Sequence, residues 1–478
     1  MLEKSNFKDK ILWLVFGIFI VITLWGLMNH LPWRDEAQSW LIVRDLNFLN
    51  IIKQMPYEGT PPLWHLILYP FAKLGLPYVS ELIIHYIIAI LAVFIFLFFS
   101  PLPKSVKILL PFTYYFLFEY SIVARNYSLT AFILFLIATL YQNRFKKPVF
   151  YAILIFLLAW TNVHSLGISV LLLILFIYDI IKNRYEEKKY LIAIIVMMLG
   201  LTSAILIMIP QIDQYTTLIL NSWYVLPRSL ASALIPFLNN PGVNLLILST
   251  VSLLWLPIIL FILKNWETKV IFVFSYLWLL FIFLFKHPGD LRHYGLILIL
   301  FIFVWWVDIL KNKTNYSQNT RYRIIFYLFL CCLIINILYA GYFYISGNNK
   351  YFSGAKEMTE YLKNNDLLKN EIAAYPSYSG SALLPYLPGK KFYQMETLKE
   401  GTFLTWNKDF VIGNQTPYYI LKAYLKKYYQ NQTNQIDRIL LITTIPEGYD
   451  PELTLITKTK KETIKQDEFF YLYWLNLK

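Results

Sequence analysis

Side chains able to do chemistry collect in a few polar interruptions of an otherwise apolar chain. The first interruption, residues 29–78, opens on Pro32-Trp33-Arg34-Asp35-Glu36. Proline suits the first position of a helix, and it places Asp35 and Glu36 in the first turn, where the positive end of the helix dipole favours carboxylates. One reading of the pair is capping by solvated acids. The other is a general base, since desolvation raises a carboxylate pKa and a neighbouring cation such as Arg34 lowers it again. The flanking tryptophans and the apolar surroundings, where an ionisable group is expensive unless used, favour the base. Further along the same segment, Pro61 and Pro62 open a second amphipathic helix with His65 in its first turn.

The other interruptions supply cations. Arg125 lies in EYSIVARNYS, Arg228 in SWYVLPRSL, and Lys286, Arg292 and His293 in KHPGDLRHYG. In loops this short a lone guanidinium needs a carboxylate or an anionic ligand, and planar bidentate recognition of phosphate is what Arg does well. A carboxylate facing an arginine cluster suggests a base beside an anionic, lipid-linked substrate. His164 is read either as a substrate contact or as an interfacial histidine, and Glu81 with His85 as a relay or as a paired intramembrane couple. Asp179 and Asp308 read as structural. A divalent metal held by Asp35 and Glu36 stays open, although two adjacent carboxylates are a weak ligand set and Arg alone can neutralise a phosphate. Cys331 and Cys332 are adjacent in an apolar run and offer neither a disulfide framework nor a metal knuckle.

The elements that must position these groups are membrane helices. Of 478 residues, 58% are apolar and only 15% charged, which excludes a single soluble globule. Apolar runs predict eleven spans, at about Ile11 to Met28, Val79 to Phe99, Ile108 to Val123, Tyr127 to Tyr141, Val149 to Asn162, Ser165 to Ile181, Tyr190 to Ile209, Val243 to Leu263, Lys269 to Phe285, Tyr294 to Ile309 and Ile324 to Ile345. The third to fifth are shorter than a full crossing. The first is read as an uncleaved anchor. With the N-terminus cytoplasmic, 18 of the 26 Lys and Arg before residue 350 fall on the cytoplasmic side, as the positive-inside rule requires. The net charge of +14 is then mostly an orientation signal, and a nucleic-acid partner is not needed to explain it.

From about residue 347 the composition becomes that of a soluble protein. Helical periodicity at Ala355 to Lys363 and Tyr418 to Tyr429, with strand patterns at Glu371 to Tyr375, Arg438 to Thr444, Leu453 to Lys458 and Phe469 to Trp474, predicts an extracytoplasmic α/β domain over 347–478. The membrane module is expected over 1–346, with Trp33, Trp40, Leu41 and Phe48 of its first outer loop resting on the bilayer interface.

In order and membrane side, RDEAQSW (34–40), EGTPPLWH (58–65), ARNYSLTAF (124–132) and DLRHYG (290–295) resemble the GT-C superfamily of polytopic glycosyltransferases. The branch they are most similar to includes protein O-mannosyltransferases and lipid A aminoarabinose transferases. The resemblance covers about the first three quarters of the chain. It implies Asp35 as the catalytic carboxylate with Glu36 second, and Arg125 and Arg292 as holders of the lipid phosphate. Arg228, as another outer-loop cation, is expected to join them, and Arg34, Glu58, His65, His164, His293 and Tyr294 are expected to contact substrate. The mannosyltransferase branch tends to carry His before the two prolines and Lys three positions after the second. This chain has Thr60 and His65 there, which leaves sugar and acceptor open.

The expectation is therefore a multi-pass enzyme of a bacterial-type plasma membrane. It would transfer a sugar from a polyprenyl-phosphate-linked donor to a glycan, lipid or protein acceptor on the outer face, with inversion. The rival readings are a transporter or flippase of lipid-linked sugars and a structural cell-envelope assembly protein. A transporter would more often show internal repeats and midplane polar residues, and neither is evident.

Overall fold

The computed structural model describes residues 4–214, 222–312, 320–347, 352–431, 436–446, 448, 450–464 and 466–478. Among these, eight helices are long and apolar enough to cross a bilayer: Lys10–Asn29, Val79–Phe99, Val163–Asn183, Lys188–Ile207, Leu245–Ile262, Trp266–Phe285, Leu291–Lys311 and Arg321–Ile345. Each covers an expected span. The chain has the character of a multi-pass membrane protein with a small C-terminal sheet.

The three remaining expected spans take other forms. Tyr127–Asn143 and Pro148–Ala159 are shorter apolar helices. The third is broken. A helix over Lys104–Leu109 passes into a 3-10 turn at Leu110–Phe112 and a π-helical turn at Tyr115–Glu119. The interruption has a local cause. The Tyr114 N–H, which would continue the α ladder, donates instead to Asn336 Oδ1 at 2.7 Å, while Thr113 Oγ1 takes the Leu110 carbonyl at 2.7 Å. Past this point the Tyr120 N–H reaches back five residues to the Tyr115 carbonyl at 2.8 Å, and the chain leaves the bundle toward Arg125.

Leu291–Lys311 is the central helix, with 89% of its apolar window buried against 22% for Lys10–Asn29. Arg292 and His293 therefore stand on the most rigidly held element of the bundle. Asp308, near its other end, accepts from the backbone N–H of Asn265 at 2.9 Å and from Thr268 Oγ1 at 2.6 Å, which caps the Trp266–Phe285 helix and fits the structural role expected of it.

Residues 29–78 form three helices where two were expected: Arg34–Asp45, Phe48–Glu58 and Leu63–Lys73. Asn47 starts the middle one by accepting from the Asn50 N–H at 2.9 Å, and Gly59 ends it at φ +63, a conformation glycine adopts without strain. The expected interfacial role of its aromatic face is overturned in part. Trp33, Trp40 and Leu41 are buried inside the protein, and only Phe48 stays exposed. The C-terminal segment covers this side: the Phe352 ring lies 5.9 Å from Trp33, and Tyr386 lies 5.4 Å from Tyr78, whose ring is 6.1 Å from Trp40.

That segment carries one mixed sheet of β1 (Ile372–Tyr375), β2 (Phe392–Gln394), β3 (Lys399–Gly401), β4 (Arg438–Thr443), β5 (Leu453–Lys458) and β6 (Tyr471–Asn476), in the order β3-β2-β1-β4-β6-β5. Alternation along β4 divides its side chains between the two faces. Leu440 and Ile442 join a core continuous with the membrane helices, while Ile439 and Leu441 pack under the Tyr418–Gln430 helix with Leu425 and Tyr429. The first-loop helices and the sheet are pinned together by polar contacts. Arg34 pairs with Asp467, the Arg34 N–H donates to Glu468 Oε1 at 3.2 Å, and Arg44 Nη1 donates to the Leu384 carbonyl at 2.9 Å.

Candidate functional site

A cavity of about 950 Å³ lies between the first-loop helices, the outer ends of the bundle and the C-terminal segment. Of the residues singled out in the sequence, Arg34, Asp35, Glu58, His65, Arg125, His164, Arg292 and His293 line it. They come from five separate stretches of chain. Glu36, Arg228 and Tyr294 do not line it.

Asp35 faces the cations. Its Oδ2 is 3.1 Å from Arg292 Nη2, its Oδ1 is 3.9 Å from Arg34 Nε, and its backbone carbonyl accepts from Arg125 Nη1 at 2.6 Å. The Arg292 guanidinium also lies 5.2 Å from the Trp33 ring, so the aromatic face helps to fix its plane. The Arg34 guanidinium is similarly held over Tyr378 at 4.6 Å.

Glu36 is turned inward. Its carboxylate sits 2.9 Å from His30 Nε2 and accepts from the backbone N–H of Trp33 at 3.1 Å and of Ala124 at 2.7 Å. The expectation of a second catalytic carboxylate there is corrected. Consecutive helix positions diverge by roughly 100°, so Asp35 reaches the cavity while Glu36 fastens the helix start to the loop that carries Arg125. Asp35 and Glu36 thus do not face one another as a ligand pair. Among the described residues no three His, Cys, Asp or Glu side chains come together as a ligand set.

Tyr294 is a positioning residue. Its hydroxyl donates to the Pro288 carbonyl at 2.7 Å and holds the turn through Gly289, whose φ is +80 and where a Cβ would come within 2.7 Å of the Tyr294 ring. Arg228 stands on the Val225–Leu234 helix away from the cavity lining.

The chain matches no model of a known protein family and no curated protein. The chemistry of the site rests on its own groups.

The histidines are poised as neutral hydrogen-bonding groups. His293 Nδ1 accepts from the Asp290 N–H at 2.9 Å, which leaves the proton on Nε2, where it faces the Tyr127 hydroxyl at 2.8 Å. The His164 and His287 rings each lie 5.2 Å from the His293 ring. Burial, then the charge of Arg125, pulls His65 down to about 3. Both ring nitrogens of His65 and of His164 are buried without a hydrogen-bond partner, on two walls of the cavity. Buried polar atoms without a partner in the protein are suited to a ligand that completes them.

Glu58 is the second carboxylate of the site. It accepts from Gln38 Nε2 at 2.9 Å and Gln54 Nε2 at 3.0 Å, and the same two amides hold the Leu404 carbonyl at 2.7 and 3.1 Å. Burial pushes Glu58 up from 4.5 to about 7, against the opposing effect of the two amides and Arg125. Burial also pushes Glu468, at the Arg34 contact, up to about 8.

These shifts predict a pH dependence of stability. From about pH 7.5, well above the usual histidine value of about 6.5, His65 and His287 are largely neutral in both folded and unfolded chains, since burial only lowers them. Glu468, and in part Glu58, still hold protons in the fold that the unfolded chain has lost, so stability falls as pH rises from about 7.5 through 8. Thermal unfolding of the detergent-solubilised chain is expected to show a Tm that declines over this window and flattens in the Glu58→Gln, Glu468→Gln double variant. A wild-type Tm that rises or holds level would contradict the two raised carboxyls.

Several site residues escaped sequence reasoning. Gln38 carried a signal, being three residues after Asp35 and hence on the same helix face. Tyr378, Leu404 and Trp406 had none, because they reach the cavity from more than 300 positions along the chain.

Proposed function

We propose that the chain is an integral membrane glycosyltransferase of GT-C type. It transfers a sugar from a polyprenyl-phosphate-linked donor to an acceptor hydroxyl at the outer membrane surface, with inversion. The observation that carries this reading is the Asp35 carboxylate set 3.1 Å from Arg292 inside a large polar cavity, with Arg125 bonded to the same residue.

The acceptor oxygen attacks the anomeric carbon as its proton passes to Asp35. The bond from that carbon to the phosphate oxygen breaks, and the electron pair leaves with the polyprenyl phosphate. Arg292 and Arg125 stabilise the charge gathering on that phosphate, and preorganised donors of this kind are commonly the largest catalytic contribution. Arg292 is the counterion of Asp35. A donor phosphate competes for the guanidinium and so frees the base only when there is something to react with. His65 and His164 offer ring nitrogens to sugar hydroxyls.

The reading also covers topology. Counting the broken run and the two short helices as crossings gives eleven, an odd number, so the N-terminus and the sheet would lie on opposite sides, and the excess of Lys and Arg in the loops on the N-terminal side favours a cytoplasmic N-terminus. A reporter fused after Lys478 is expected to be active only on the extracytoplasmic side, and a cytoplasmic signal would remove the site from the proposed face. The enzyme itself is tested by transfer of labelled sugar from polyprenyl-phosphate donors by the purified full chain. Donor transported across vesicles without bond cleavage would favour the transporter instead.

A further inference from the structure

Residues 402–406 run as a wall between two cavities. Leu404 and Trp406 line the one that contains Asp35, while Thr402, Phe403 and Thr405 line a second, charged cavity of about 720 Å³ that also carries Arg44, Lys390, Lys391 and Lys399. The wall is clamped to the membrane half along its length. The Leu404 N–H donates to Gln38 Oε1 at 3.0 Å, its carbonyl accepts from Gln38 and Gln54, and the Lys408 N–H donates to the Asp213 carbonyl at 2.7 Å. Asn407 caps the Lys408–Gln415 helix through the Phe410 N–H at 3.0 Å. Phe410 then braces the Trp406 ring edge to face at 4.9 Å.

Trp406 is 38% exposed in this rigid setting. Held in place by Phe410, it offers the Asp35 cavity an apolar plane beside hydrogen-bonding groups. The charges of the cavity are distributed unevenly. Arg125 and Arg292 stand on the membrane side, whereas Tyr378, Ser381, Leu404 and Trp406, the C-terminal residues that line it, are all uncharged. An anion is drawn to one side, and the other suits a neutral ligand with flat apolar faces and hydroxyl edges.

We propose that Trp406 is the stacking platform for the acceptor, and that the acceptor presents a neutral saccharide to it. This rests on the proposed glycosyl transfer and narrows its acceptor class. The C-terminal segment then selects the acceptor, while the membrane helices select the donor.

The test is saturation-transfer NMR on the detergent-solubilised full chain with maltotriose, cellotriose, chitotriose and mannotriose, beside undecaprenyl phosphate binding followed by native mass spectrometry. At least one trisaccharide is expected to bind the wild type through its ring C–H protons. Trp406→Ala should weaken that binding by about tenfold, the equivalent of roughly 1.4 kcal/mol, with Trp406→Phe recovering most of it and lipid binding unchanged in both. The inference is overturned if no trisaccharide binds the wild type, if Trp406→Ala binds it equally well, or if Trp406→Ala loses both ligands and Phe rescues neither. Saccharide binding that depends on Trp406 in a chain that ignores undecaprenyl phosphate would instead remove the proposed donor and leave the platform standing.

Discussion

Asp35→Asn is expected to lower kcat for sugar transfer by roughly a hundred- to ten-thousand-fold, the range for loss of a positioned general base. Asparagine is nearly isosteric and keeps an oxygen in the first turn of the Arg34–Asp45 helix, so the fold is retained. It cannot take the acceptor proton. The ion pair with Arg292 involves side chains only 15% and 25% exposed, and breaking a largely buried pair costs up to about 3–5 kcal/mol when the remaining charge is left without a partner. Asparagine keeps an acceptor oxygen for the guanidinium, so the variant should unfold somewhat below the wild-type temperature but still fold and insert. Removing the carboxylate also releases Arg292 from its counterion, so donor binding should hold or tighten while turnover collapses. A fall in kcat with a steady or lowered donor KM is the signature. Undiminished turnover in a correctly inserted Asp35→Asn protein would eliminate the proposed base.

Arg292→Ala has the second largest expected effect, a loss of about a hundred- to a thousand-fold in kcat/KM for donor, as for removal of one preorganised donor to developing charge. Alanine deletes the phosphate contact, the counterion of Asp35 and the cation held against Trp33 together. Arg292→Lys restores the charge without the planar fork, so it should recover only part of the activity. Arg125→Ala is expected to behave differently. Its guanidinium is bonded to the Asp35 backbone, and its loss should disturb the base as well as the phosphate, impairing donor and acceptor use alike. Equal damage to donor and acceptor parameters by Arg292→Ala would speak against the phosphate assignment.

What the sequence disclosed follows from contrast. Asp35, Arg125 and Arg292 stood out because charge is rare in this chain and each interrupts an apolar run, and the cavity indeed gathers them. The eight long helices were legible for the same reason, since length and hydropathy suffice to define them. Glu36 was misread because adjacency in sequence says nothing about helix face, and its partners, His30 and the Ala124 N–H, are set by packing. The break at Leu110 to Glu119 was hidden because the competing acceptor, Asn336, lies more than 200 residues away. In the C-terminal segment four strands were visible by alternation, but β2 and β3 are three residues each, too short for a period to register. The burial of Trp33 and Trp40 was invisible because the surface that covers them is built by that same distant segment.

The sheet order has a consequence for biosynthesis. β6 lies between β4 and β5, and the two acids that grip Arg34, Asp467 and Glu468, immediately precede it. A ribosome delivers them some 430 residues after the helix they fasten. Until then β5 has no neighbour, Arg34 has only the adjacent Asp35 as a counterion, and the roof over Asp35 is not yet pinned down. The cavity is thus among the last features to be completed, so a nascent or truncated chain carries its cations and its base without the enclosure that makes them selective.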